Sequence, residues 1–230
     1  MLTYLWRHEL RKPLLTLGAA SLLAVALLGT RILLTQRLTH LFLVWNLVLA
    51  WVPVMLAMRV DELEKQGRAR TWVFWGMVAG WLLFFPNAPY IFTDLKHLKP
   101  VMHSRWWTDL TMILLFAVIG LVLAFISLHR MQMVIARRKG WLSGWVFVFG
   151  VAMLSGFGVY LGRFQRWNSW DVVVSPLALL FDSVNWVHGH SLKFTVLFGI
   201  FLATAYVLLH SLTSMSPKTR EQASPMEPAP

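Results

Sequence analysis

Two stretches of the chain and one isolated amide put polar side chains where they could do chemistry. In GRFQRWNSWD, Arg163 and Arg166 stand three residues apart, on one face if a helix continues through them, with Asn168 and Asp171 just beyond. Paired guanidiniums suit bidentate contact with phosphate or carboxylate. In FPNAPYIFTDLKHL, an apolar run ends in Asn87 and Tyr90, and Asp94 and His97 follow at once. Asn46 interrupts the apolar WNLVLAWVP, where a buried amide needs a partner from another helix. The leading expectation is an anionic headgroup held by Asn46, Asn87, Tyr90, Arg163, Arg166 and Asn168. The catalytic alternative uses Asp94, His97 or Asp171 for proton transfer beside the arginines. Each residue also has a structural use. Arg163 or Arg166 could pair with Asp171 as an interfacial anchor, Asn46 could be packing glue, and the prolines could simply end a helix.

Other chemistries find no footing. There is no cysteine, which removes disulfides, thiolate metal sites and thiol nucleophiles. No serine stands in a GxSxG context, and no Walker A or dinucleotide glycine pattern occurs. Asp94, His97 and His103 share one connection, and His188 and His190 form another pair, but neither resembles the HExxH zinc helix. No metal and no cofactor is expected.

The elements that must position these residues are membrane helices. Of 230 residues, 57% are apolar and 13% charged, well off the half and quarter or so of a soluble domain. The apolar excess lies in long runs, and the 13 tryptophans suit membrane–water interfaces. The net charge of +11 comes from short clusters between those runs, a pattern of topology determinants and lipid contacts, so no nucleic-acid partner is expected. Six spans are predicted, at Pro13–Thr30, Leu38–Met58, Thr71–Phe92, Asp109–His129, Trp141–Leu161 and Ser191–Leu212. Lipid forces each to be helical. The fold class is thus an all-α integral membrane bundle of about six helices with short interfacial helices on the outer side. Residues 1–12 read as an amphipathic cytoplasmic segment, 13–212 as the transmembrane domain and 213–230 as a disordered tail. The first span lacks a small-x-small cleavage site and reads as a retained anchor.

Thirteen of the 21 basic residues fall in the amino terminus, Arg59–Arg70, Arg130–Gly140 and the tail. The positive-inside rule then puts both termini in the cytoplasm. The inward loops read as generic connectors: RVDELEKQGRAR with Asp61–Lys65 and Glu64–Arg68 pairs, and MQMVIARRKG as a basic turn. The unusual residues instead gather at outward ends of four segments. Pro86 and Pro89 strip donors from the third span's end, where Asn87 could satisfy freed carbonyls. Thr93 or Asp94 would cap a short helix through Leu98. Asn46 should lie about 12 Å inside the second span, beside a kink at Pro53. Ser175-Pro176 starts an amphipathic interfacial helix whose apolar stripe is Leu177, Leu180, Phe181 and Val184.

WNLVLAWVP, WLLFFPNAPYIFTDLKHL and YLGRFQRWNSWD, in that order, resemble a bacterial family of multi-pass membrane proteins known as domain of unknown function 1361. The resemblance runs from about Arg31 to Leu212. It implies a bacterial inner-membrane protein and supplies no catalytic assignment. The expected function is binding of an anionic lipid or carrier headgroup in an outward-facing polar pocket. An enzyme acting on a phospholipid or polyprenyl-linked substrate is the alternative. A small-solute transporter is disfavoured, because the span centres carry no Asp, Glu, Lys or Arg. Membrane lipids are the expected partners, with a membrane protein as the alternative.

Overall fold

The computed structural model describes residues 11–98, 106–185 and 189–214. Every regular element among them is helical: α1 (Arg11–Thr35), α2 (Phe42–Lys65), α3 (Trp72–Phe84), α4 (Asn87–Tyr90), a 3₁₀ segment (Ile91–His97), α5 (Trp106–Lys139), α6 (Trp141–Tyr160), a π turn (Leu161–Gln165), α7 (Asp171–Val174), α8 (Pro176–Asn185) and α9 (Gly189–Ser214). Five helices are long and apolar enough to cross a membrane: α1, α2, α5, α6 continued through its π turn, and α9. The chain is an all-helical membrane protein.

The expected third span is assembled from pieces. The 13 residues of α3 reach only about 20 Å, short of a hydrocarbon core of about 30 Å. Phe85, Pro86 and Ile91 keep right-handed helical dihedrals, so α4 and the 3₁₀ segment carry the path onward. The prolines explain the interruption. Pro89 cannot donate to the Phe85 carbonyl, which accepts from Ala88 N at 3.2 Å instead. The Asn87 side chain donates to the Phe84 carbonyl at 3.0 Å, the rescue expected of it.

α5 is the hub, packed against α1, α2, α4, the 3₁₀ segment and α6. Its buried face includes Ile113, Phe116, Gly120, Leu123, Ser127 and Met131, a helical stripe. α2 answers with Leu43, Leu47, Ala50, Val54, Ala57 and, last on the same stripe, Asp61. Small residues set the closest approaches, as in other membrane bundles. A Cβ on Gly120 would lie 2.7 Å from the Ala88 carbonyl, and one on Gly156 would run into that of Thr195 on α9.

Several element ends differ from expectation. Residues 39–41 form a turn, so α2 starts at Phe42 and Asn46 lies only about 6 Å into it. MQMVIARRK is not a turn but the last part of α5, stopped by Gly140 at φ 91°. RVDELEK likewise prolongs α2. Neither Thr93 nor Asp94 caps a helix, because both lie inside the 3₁₀ segment that starts at Ile91. α8 does begin at Pro176, with Leu177 and Phe181 exposed. Residues 1–10, His103, His188 and the tail beyond Ser214 lie outside the described residues.

Candidate functional site

At one end of the bundle, Asp94 is the convergence point of three segments. The 3₁₀ segment supplies the carboxylate, 1% exposed and seated against α5. Asn46 on α2 donates Nδ2 to Asp94 Oδ2 at 2.9 Å. Arg163, on the π turn after α6, reaches Asp94 Oδ1 with Nη2 at 2.5 Å. Its Nε and Nη2 also donate to Thr93 Oγ1, at 2.8 and 2.5 Å, and its guanidinium lies 4.2 Å over the Tyr90 ring. Arg163 is itself only 6% exposed. The π turn matters here, since one extra residue per turn re-aims side chains where a helix ends. This is a buried, fully coordinated ion pair.

His97 completes the edge. Its Nε2 lies 3.3 Å from Arg163 Nη1 and 3.9 Å from Asp94 Oδ1, and its ring packs on Phe42 at 4.9 Å. Desolvation holds its pKa below 6.5, against the pull of Asp94 and helped by Arg163 and Lys96. Lys96, exposed on the same segment, is also lowered, first by desolvation and then by Arg163 and Arg166.

Beside the ion pair is a cavity of about 170 Å³. Asn46, Asn87, Tyr90 and Asn168 line it, with Trp45, Trp167 and Ser169, and Leu179 of α8 forms part of its wall. Asn46 and Tyr90 therefore face both the cavity and the buried charges. Asn87 is held in place by the Ser169 hydroxyl at 2.8 Å.

The other candidates stand apart. Arg166 adopts a left-handed conformation, φ 61°, which ends the helix and removes it from the face it was expected to share with Arg163. It is exposed. Asp171 pairs with neither arginine in the expected anchor. Its Oδ2 accepts from Asn168 N at 2.7 Å and Nδ2 at 3.3 Å, closing the loop before α7. Asp94, for its part, offers both oxygens to protein donors.

Sequence reasoning passed over the Arg31–Asp109 pair and, at Asp61, everything but the expected pairing with Lys65. Arg31 and Asp109 form a bidentate pair, Nε–Oδ1 at 2.5 Å and Nη2–Oδ2 at 3.0 Å, joining α1 to α5. Thr39 accepts from the same arginine at 3.2 Å and meets His40 at 3.1 Å. At the opposite end, Asp61 binds Arg137 at 2.5 Å, Lys65 at 2.9 Å and Arg130 at 3.5 Å. Glu64 pairs with Arg137 at 2.8 Å, and not with Arg68. The signal was available, because Asp61 falls on the apolar stripe of α2.

Five helices long and apolar enough to cross a membrane make this a multi-pass membrane protein, with a polar cavity at one end of the bundle and buried carboxylates in ion pairs at both. The family described as Protein of unknown function (DUF1361) matches residues 45–205, and the chain belongs to it. Among curated proteins and among solved structures, nothing matches.

Proposed function

We propose that this protein binds the anionic headgroup of an outer-leaflet amphiphile, a lipid or lipid-linked carrier, in the cavity beside Asn46 and Tyr90. The observation that carries the reading is the composition of that wall: three asparagines, a serine and three aromatic rings at a helix-end level, with Arg163 over the Tyr90 ring and Lys96 close enough to feel both Arg163 and Arg166. Amides offer paired donors and acceptors to a headgroup, and indoles hold the site at the interface. Size points to a headgroup alone. A cavity of 170 Å³ is smaller than the roughly 300–1,000 Å³ of sites that engulf a drug-sized molecule, so the chains would stay in the bilayer. The membrane proposed is a bacterial cytoplasmic one, and the positive-inside rule supports an orientation with both termini inside and this end facing outward. Arg163 acts in this reading as a support, because its charge is committed to Asp94.

A second reading, acid–base catalysis on such an amphiphile, draws on one observation. His97 is exposed, has its pKa lowered chiefly by desolvation and lies against Arg163. Asp94 is too deeply enclosed to exchange a proton with substrate.

The test is a titration of the purified full chain in mild detergent with phosphatidylglycerol, a polyprenyl phosphate and phosphatidylcholine. Wild type is compared with Asn168→Ala plus Arg166→Asn, asparagine being tolerant of the left-handed turn. One anionic amphiphile should bind wild type at least about tenfold tighter than the variant, the loss of one charge-assisted contact. Equal binding of all three amphiphiles, or equal binding by both proteins, removes the proposal.

A further inference from the structure

Nothing in the sequence pointed to a ligand at the Asp61 end, yet a second cavity opens there. It occupies about 310 Å³ between α5 and α9, two helices that both pack on α6 and leave a crevice between them. Its lining is mostly apolar, with Val122, Phe125, Ile126 and Leu209, and His129, Arg130 and His210 form a small polar edge at one side. That division matches an acyl chain and a charged head.

The charge arrangement favours an anion. Two carboxylates, Asp61 and Glu64, face three cations, Lys65, Arg130 and Arg137. Arg130 is the most loosely held of the three, 3.5 Å from Asp61 against 2.5 and 2.9 Å. Its Nε is buried and has no hydrogen-bond partner among the described residues, an arrangement native interiors avoid. The neighbouring imidazole is oriented. His129 Nδ1 meets the Tyr206 hydroxyl at 3.2 Å, and that hydroxyl in turn donates to Gln132. The His210 ring stands 5.6 Å from that of His129.

We propose that this crevice is a site for an anionic phospholipid of the leaflet at the Asp61 end. One acyl chain lies along Phe125, Ile126 and Leu209, and a phosphate group meets the partly exposed Arg130 side chain, flanked by His129 and His210. Basic pockets between spanning helices are a general mode of lipid recognition, and a mobile soluble anion would have no use for the apolar half. The site is at the opposite end of the bundle from the Asn46 cavity and does not depend on it.

Native mass spectrometry of the full chain, with equimolar phosphatidylglycerol and phosphatidylethanolamine of identical chains, tests this. Wild type should retain one phosphatidylglycerol that Arg130→Gln holds about tenfold more weakly. Ile126→Trp, which fills the crevice and leaves every charge in place, should lose the same molecule, so a loss cannot be ascribed to a disrupted ionic cluster. Arg166→Asn, at the other end, should keep it. Retention of phosphatidylglycerol unchanged in both Arg130→Gln and Ile126→Trp overturns the proposal, as does equal retention of the two lipids by wild type. Failure of the Asn46 cavity would appear in the titration of the Asn168→Ala plus Arg166→Asn variant and leave this result intact.

Discussion

The two ends of the bundle solve the same electrostatic problem differently. At one end, buried Asp94 is met by a single cation, Arg163, itself 6% exposed. At the other, buried Asp61 is met by Lys65, Arg130 and Arg137, whose side chains are 39%, 19% and 34% exposed. A one-to-one buried pair has no reserve. If either partner is lost, a charge is left where water cannot reach it. A carboxylate served by three half-hydrated cations has redundancy. The Asp94 end is therefore built as a fixed support for its cavity, whereas the Asp61 end is built around an unbalanced charge.

The sharpest way to break this contrast is Arg163→Met, which leaves Asp94 with Asn46 alone. Removing one partner of a buried pair costs about 3–5 kcal/mol, and thermal unfolding in detergent should show a loss of that size. Replacing both partners, Arg163→Met with Asp94→Leu, should recover most of it, since no buried charge then remains. If the single and double variants are equally destabilised, the pair is held by packing and the contrast is wrong.

A smaller effect is expected at the other end. Arg137→Gln leaves Asp61 with two cations and should cost less than about 1 kcal/mol, as for a partly exposed ion pair. A loss as large as that of Arg163→Met would show that the three cations act as one unit.

The smallest effect is with pH. His40 and His97 both have pKa values lowered from 6.5, chiefly by desolvation, with Arg31 acting on His40 and Arg163 on His97. A histidine whose folded pKa is depressed binds its proton more readily when unfolded. Its contribution is thus intact above pH 6.5 and is lost as pH falls below that value towards the folded one. Unfolding followed from pH 7.5 to about 5 should steepen in its acid dependence for wild type, and His40→Gln plus His97→Gln should flatten it. An unchanged slope would mean that these rings are not desolvated as the geometry implies.

How much was legible beforehand varied with the residue. The apolar runs alone required spanning helices, because lipid cannot hydrogen-bond a bare backbone. Pro86 and Pro89 marked where backbone donors would be missing near the end of the third span, and Asn87 a means of repair, because proline's missing donor is a property of the residue itself, although the span was expected to run on unbroken to Phe92. That Asn46 needs a polar partner was equally readable from one amide in an apolar stretch. Which partner it takes was not. Asp94 lies 48 positions away in the chain, and only the folding of the 3₁₀ segment onto α5 brings the two together.

The arginines separate the two kinds of knowledge most clearly. Spacing put Arg163 and Arg166 on one face, and a regular helix would have done so. The π turn and the left-handed residue after it sent one inward to Asp94 and the other out to water. Asp61 makes the converse point. Its place on the buried stripe of α2 was written in the sequence, but its meaning depended on α5 running on to Lys139 and delivering Arg130 and Arg137 to it. Hydrophobic length and the chemistry of single residues are local quantities, so the sequence by itself determined the membrane, the helices and the need for polar partners. Ion pairs and cavities depend on where separate helices end and how their faces meet, and those only the tertiary structure decided.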